Sequence, residues 1–241
     1  GYSSWHCNFV IEDDYSPLAQ QPLLRRRDWQ FHWRNKEYGC FDDFLADLRS
    51  RKRTSIRRER RQVQQAGIQV QWKSGLEIDA ADLDFVYDCY IGTFHNYGTY
   101  PALNKRCFEI IGPELGEGFQ VALASRAGQQ GAAAVFLAGG GRLYGRYWGC
   151  MEDVPGLHFE LAYYQGIDFC IRNGLQVFES GAQGEHKIAR GFLPTRTRSF
   201  HHIEHPGFRQ AIDEHLHREK SWLDEYRHQL DALSPFRRDD T

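Results

Sequence analysis

No stretch of this chain is apolar over anything near the roughly 20 residues that a membrane helix requires. The longest apolar run, "GAAAVFLAGG" beginning at Gly131, is the length of a strand. No basic-then-apolar leader opens the sequence. The chain starts at Gly1 rather than Met, which predicts that it was cut from a longer or processed protein. Six cysteines, at positions 7, 40, 89, 107, 150 and 170, form no CxxC pair. That excludes a zinc module, and in a chain of this length it predicts free thiols in a reducing cytoplasm. G-x-S-x-G, P-loop and G-x-G-x-x-G motifs are all missing, so hydrolase, nucleoside-triphosphatase and Rossmann readings have no support. There is no internal repeat and no low-complexity segment.

What is present is a core-forming composition: 241 residues, 41% hydrophobic, 14% aromatic and 26% charged, with a mean hydropathy of -0.62. Net charge is only -2, but it is unevenly spread. Arg49, Arg51, Lys52, Arg53, Arg57, Arg58, Arg60 and Arg61 face a single acid, Glu59, which points to an anionic partner such as the phosphates of coenzyme A or of tRNA.

Periodicity divides the chain into elements. "DWQFHW" reads as a strand with Trp29, Phe31 and Trp33 on one face. "FDDFLADLRSRKRTSIRRERRQVQQAG" reads as one long helix, capped near Asp42 and ended by Gly67. "IQVQW" is a strand. Helices follow in "AADLDFVYDCYIGTFHNYG" and "KRCFEIIGPE". "FQVALAS", "AAAVFLAG" and "RLYGRYWGC" form an antiparallel meander. "LHFELAYYQGIDFCIRNG" is a helix closed by Gly174, then come strand "QVFESG", short helix "GEHKIARGF", strand "TRSFHHIEH" and an amphipathic helix from Phe208 to Leu233. The plan is α+β with a mixed sheet, and the helix after the meander serves as a parallel crossover.

Two segments carry charge where packing alone has no use for it. In the crossover helix, Leu157, Glu160, Tyr164, Ile167 and Ile171 share one face at 100° per residue. Glu160 on that apolar stripe suits a general base or an amine anchor, or else a first-turn acid complementing the helix dipole. His158 lies beside amides that suit an anion or oxyanion. In "GAQGEHKIARGF", Glu185, His186, Lys187 and Arg190 crowd a glycine-flanked turn, with His186 and Arg190 as i,i+4 neighbours. Such a cluster suits anion binding and proton shuttling, or a solvated cap. In "RLYGRYWGC", Tyr144, Arg146 and Trp148 share a face, opposite Leu143, Gly145, Tyr147 and Gly149. An arginine between aromatics suits a carboxylate or phosphate clamp. His201, His202 and His205 lack a metal-ligand pattern.

The motifs "QFHWRNKEYGCFDDFLADLRSRKRTSIRRER", "LYGRYWGC", "LHFELAYYQGIDF" and "GAQGEHKIARGFLPT" resemble those of the bacterial FemAB-like N-acyltransferases, named for the Fem-type peptidoglycan aminoacyltransferases. The resemblance runs from about Trp29 to about Glu219. It implies an acyl-CoA N-acyltransferase (GNAT-like) fold, with the donor in the splay between two parallel strands and transfer to a small-molecule or peptide amine. It also implies two such domains in tandem, so that residues 1–35 are the end of a preceding domain, 36–234 the transferase domain and 235–241 a tail. "EDVPGLHFE" lacks the Arg/Gln-x-x-Gly-x-Gly pyrophosphate loop, and segment 92–104 also departs from the family. Those departures leave open an aminoacyl-tRNA donor, met by Arg53, Arg57 and Arg58, or a binding module without catalysis. On the main reading Glu160, Glu185 or His186 takes the amine proton. Amides near Leu157 hold the oxyanion. Arg146, Trp148, His158, Tyr164, Lys187 and Arg190 bind donor or acceptor, and no metal is used.

Overall fold

The chain opens with β1 (Ser4–Cys7), α1 (Tyr15–Ala19) and β2 (Leu24–Arg34). In β2 the three arginines 25–27 are exposed, whereas Trp29, Gln30, Phe31, His32 and Trp33 are all buried. The expected single buried face is therefore a strand covered on both sides. The computed structural model describes residues 2–10, 15–181 and 184–237. Its backbone falls into two units, Gly1–Phe31 with Ala182–Ser234 and His32–Gly181 with Pro235–Thr241. β2 passes from the first into the second.

The larger unit continues with α2 (Phe41–Asp47) and α3 (Ser50–Gln65). One helix over this stretch does not form. Leu48 is extended at ψ 153° and bridges Phe236, while Arg49 donates its backbone N–H to Pro235 and its Nε to Phe236. Leu48 is fully buried by this pairing. No proline or glycine marks the break, because its cause lies far along the chain. The start of α2 is held by Asp43, whose carboxylate accepts the N–H groups of Gly39 and Cys40.

Then follow β3 (Ile68–Ser74), α4 (Ala80–Asn96), α5 (Lys105–Leu115), β4 (Phe119–Arg126), β5 (Gln129–Gly139) and β6 (Arg142–Cys150). Asp79 and Asp82 cap α4 reciprocally, and Asn104 caps α5. The strands form the expected antiparallel meander, with β3 added at its edge. A crossover of α6 (Leu157–Phe159), a π-helical turn (Glu160–Tyr164) and α7 (Gln165–Arg172) leads to β7 (Val177–Glu179). β7 pairs parallel with β6 and antiparallel with the end of β2. This is the mixed sheet expected of a GNAT-like plan.

Both faces of this sheet are covered. Leu83, Val86, Tyr90 and Phe108 of α4 and α5 pack on Phe119, Val121, Leu123 and Val135. On the other face Trp72 lies 5.0 Å from Phe136 and stacks 4.4 Å from Phe169 of α7. Each fully buried Phe, Leu or Val here contributes roughly 1.5–3 kcal/mol. Two glycines allow the close approaches. A Cβ at Gly149 would sit 2.1 Å from the Cys89 carbonyl of α4, and one at Gly166 would sit 2.4 Å from Phe178 of β7.

In the smaller unit β8 (Leu193–Ile203) follows a 3₁₀ turn (Glu185–Arg190), and α8 (Pro206–Ala232) follows β8. β8 lies between β1 and β2. α8 packs on β8 and accepts the Trp29 indole N–H on the Leu223 carbonyl, 3.0 Å away. No helix among the described residues is long and apolar enough to cross a membrane.

Candidate functional site

β6 and β7 share only three paired positions, the last being Tyr144 with Glu179. Arg142 Nη1 lies 2.7 Å from Glu179 Oε1 at this point, and His32 Nε2 lies 3.7 Å from Glu179 Oε2. Beyond it β7 ends in Ser180 and Gly181, and the strands part.

The parting coincides with a β-bulge. Val135 pairs with Tyr147 and Phe136 with Gly145, which leaves Arg146 outside the ladder. The extra residue also reverses the side-chain alternation. Tyr144, opposite Leu137, and Tyr147, opposite Val135, turn toward α4; Tyr147 lies 4.7 Å from Tyr90. Trp148, opposite Ala134, turns toward the crossover helix, 5.0 Å from His158. The expectation that Tyr144 and Trp148 share one face, and Leu143, Gly145, Tyr147 and Gly149 the other, is thus corrected by the bulge.

A cavity of about 140 Å³ occupies the splay, lined by Gly145, Arg146 and Trp148 of β6, His158, Ala162 and Tyr163 of the crossover, and Ser180 and Gly181 beyond β7. His158 is ringed by Trp148, Phe159 and Tyr163 at 5.0–5.4 Å. Arg146 is exposed and makes no ion pair among the described residues. Of the residues picked from sequence, Arg146, Trp148 and His158 come together here. Tyr163 and Ser180 were missed, and Gly181 was read only as a glycine flanking the basic turn. Tyr163 lies off the stripe drawn at 100° per residue, and only the glycine after β7 hinted at an opening.

Glu160 and Tyr164 do not line this cavity. The π-helical turn rotates them toward α3. Glu160 is buried and receives both Nε and Nη2 of Arg60 at 3.2 and 3.1 Å, and Gln165 Nε2 at 2.8 Å. Arg60 in turn lies over the Phe41 ring at 4.2 Å, and Gln165 Oε1 accepts the Trp72 indole N–H. Tyr164 donates to the Glu59 carboxylate. Gly156, at φ 85°, starts the crossover so close to α3 that a Cβ there would be 3.4 Å from the Glu59 carbonyl. The Leu157 N–H, expected at an oxyanion, is spent on the Val154 carbonyl at 3.0 Å.

The basic turn belongs to the smaller unit. It is a 3₁₀ helix between Gly184 and Gly191, so Lys187 and Arg190, three apart, share a face. Both are buried. The expected His186–Arg190 neighbourhood is realised through the backbone, as Arg190 Nη1 donates to the His186 carbonyl at 3.0 Å. Burial pushes the Lys187 ammonium down to about 8. His186 is also held below its ordinary value, by burial and then by Arg190 and Lys187. Glu185 accepts from Tyr226, whose hydroxyl is pushed up to about 12 by burial and by that carboxylate.

On α3, Arg57 and Arg58 are exposed and Arg53 is half-buried; Arg57 pairs with Asp42 at 2.9 Å. His201 lies 2.9 Å from His6 across β1 and β8, His202 reaches Glu204, and His205 caps α8. No group of three potential metal ligands occurs among the described residues.

Solved structures share the fold. A DUF2156 domain from Agrobacterium fabrum superposes at TM-score 0.61 and 11% identity, over 84% of this chain and 68% of its own. L-PGS from Bacillus licheniformis does so at 0.61 and 8% identity, over 87% and 71%. FemX gives 0.55 and 11%, over 88% and 68%. A search of functionally curated proteins finds no match. The profile of the FemAB-like family, described as peptidoglycan biosynthesis/recognition, matches residues 1–238, and the chain belongs to that family.

Proposed function

We propose that this FemAB-like transferase moves an acyl group from an acyl-CoA-type thioester to an amine acceptor, with the reacting carbon held between β6 and β7. The observation that carries the reading is the cavity opened by the bulge at Arg146 and the early end of β7. An open strand edge beside small and aromatic side chains suits an extended acyl carrier. The acceptor nitrogen attacks the carbonyl carbon, a C–N bond forms, and the C–S bond breaks.

His158, which lines the cavity, takes the ammonium proton. The bulge, where Arg146 leaves the ladder, supplies the main-chain donor to the oxyanion. Trp148 and Tyr163 wall the acyl group, and the Arg146 guanidinium orients a carboxylate or phosphate. Glu160 is a positioning residue, because its carboxylate is already committed to Arg60 and Gln165. Lys187 and Arg190, with His186 and Glu185 beside them, are an anion-binding candidate of the smaller unit. Because the family name points to peptidoglycan biosynthesis, a cell-wall precursor amine is the first acceptor to offer.

One observation favours aminoacyl-tRNA as donor instead. α3 lies against the start of the crossover helix at Gly156, where a CoA pyrophosphate would need room, and it presents exposed Arg57 and Arg58. Calorimetric titration separates the two. Saturable binding of acetyl-CoA that is lost in Trp148→Ala supports the thioester donor. Silence toward acetyl-CoA together with tight binding of charged tRNA supports the other.

A further inference from the structure

A large hollow lies in the smaller unit, and no residue of the acyl-transfer cavity or of the basic turn lines it. It has a volume of about 500 Å³ and opens between the start of β2, the middle of β8 and the inner face of α8. Its floor is apolar, formed by Leu24, Phe200, Leu216 and Leu223. Its rim is cationic: Arg25, Arg26 and Arg27 from β2, Arg198 from β8 and Lys220 from α8, opposed among the described residues by two carboxylates, Asp213 and Glu219.

Packing does not explain this rim. A half-buried strand alternates polar with apolar residues. β2 instead begins with three successive exposed arginines, then becomes fully buried at Trp29. Arg26 is matched by Glu219 and Asp28, whereas Arg25, Arg27 and Lys220 form no ion pair among the described residues and repel one another, which costs stability unless an anion joins them. The arginines are also held in place. Arg26 forks onto Glu219 at 2.9 and 3.1 Å, and Arg25 donates to the Ala19 carbonyl. A smaller hollow alongside shares Arg27 and Lys220 and adds Arg196, which lies 5.5 Å from the Trp29 ring. A volume of this size, with fixed polar groups converging on its opening, is in the range of a small-molecule site.

We infer that this cavity binds a small phosphorylated anion carrying several negative charges, of diphosphate size or larger, at a site separate from the acyl-transfer cavity. The surplus of basic over acidic side chains suits a polyphosphate better than a single carboxylate, and guanidinium forks match phosphate oxygens. An apolar floor favours an organic substituent on the phosphate. The inference does not depend on which donor the transferase uses.

The test is thermal unfolding of the whole chain with inorganic pyrophosphate, inorganic phosphate or potassium chloride at matched ionic strength. Pyrophosphate is expected to raise the melting temperature saturably, by roughly 5 °C, and phosphate to act at least about tenfold more weakly. Arg27 and Lys220 are exposed, so Arg27→Ala and Lys220→Ala leave no buried group stranded. Each is expected to keep the unliganded melting temperature and to weaken pyrophosphate about tenfold, while Arg57→Ala on α3 leaves it unchanged. Three results overturn the inference: no shift with pyrophosphate, equal potency of phosphate, or undiminished binding in the Arg27→Ala/Lys220→Ala double variant. Should that double variant unfold, Arg27→Lys, which keeps charge but not the fork, still separates site binding from bulk screening.

Discussion

Arg142, on the first rung shared by β6 and β7, reaches Glu179 on the last, with Nη1 and Oε1 2.7 Å apart, so one ion pair spans the whole of their short pairing. Both side chains are largely shielded from solvent, and the Glu179 carboxylate also faces His32. Glu179→Gln removes the charge and keeps the shape. It is expected to cost about 1–2 kcal/mol in urea unfolding and to lower kcat/KM at least about tenfold, since the cavity walls lose their register. A variant with full turnover and unchanged stability would show that the splay holds without the pair.

Glu160 and His158 are two residues apart on the crossover, yet they face different surroundings. His158→Gln is expected to lower kcat roughly 10²-fold with little change in stability. Glu160→Gln is expected to destabilise by about 1–3 kcal/mol, because Arg60 loses its bidentate partner, while kcat stays within roughly threefold. The paired measurement is turnover against pH with denaturant unfolding for each variant. If Glu160→Gln instead lowers kcat roughly 10²-fold and removes the acidic limb of the profile, the proton goes to Glu160 and the assignment is reversed.

The element order was legible from apolar periodicity. β6 begins and ends where "RLYGRYWGC" does, and the meander, crossover and parallel strand follow the same pattern. Three features were not legible, each a local departure set by a distant neighbour. Leu48 breaks the α2–α3 stretch because it pairs with Phe236. Arg146 leaves the ladder because β5 and β6 shift register, so a period of two carried through the strand misplaces Tyr144. The π turn at Glu160–Tyr164 adds a residue to the helix, so a projection at 100° per residue puts Glu160 and Tyr164 at the site and leaves Tyr163 out. The candidate cavity was therefore half visible: Arg146, Trp148 and His158 from their motifs, but none of the backbone irregularity that gathers them.

If aminoacyl-tRNA is the donor, α3 is the surface that meets its phosphates. Replacing Arg53, Arg57 and Arg58 with Ala is then expected to weaken tRNA binding uniformly across tRNA sequences. The slope of log K against log salt should flatten by about 2–3 units, near 0.7–0.9 for each phosphate no longer neutralised. Arg57 is paired with Asp42 and only partly available, so Arg58→Ala alone is expected to account for about one unit. An unchanged slope in the triple variant would move the tRNA surface elsewhere or remove tRNA from the reaction.

The thiols offer a check on the core. All six cysteines are free; Cys40 is exposed, and Cys89 and Cys170 are buried. Burial pushes the Cys89 thiol up to about 12 and the Cys170 thiol higher still, which suppresses the reactive thiolate. A disulfide reagent at pH 8 is expected to modify Cys40 first and to reach Cys89 and Cys170 only with global unfolding. Rapid native-state labelling of Cys170 would mean that the crossover helix opens away from the sheet.

Lys187 makes the pH dependence specific. Its folded-state value of about 8 lies below that of an unfolded lysine because burial penalises the charged ammonium. Between those two values the unfolded chain binds more protons than the folded one, so stability gained from this group rises with pH and is least below pH 8. The buried thiols act oppositely once pH passes the ordinary cysteine value, because only the unfolded chain then releases their protons. The window in which Lys187 dominates is therefore about pH 8–9. Urea unfolding of the native chain is expected to show stability rising across that window. Lys187→Met, which keeps the stem and removes the ammonium, is expected to flatten the rise. If the slope across that window is intact in Lys187→Met, burial of this ammonium is not what sets its protonation.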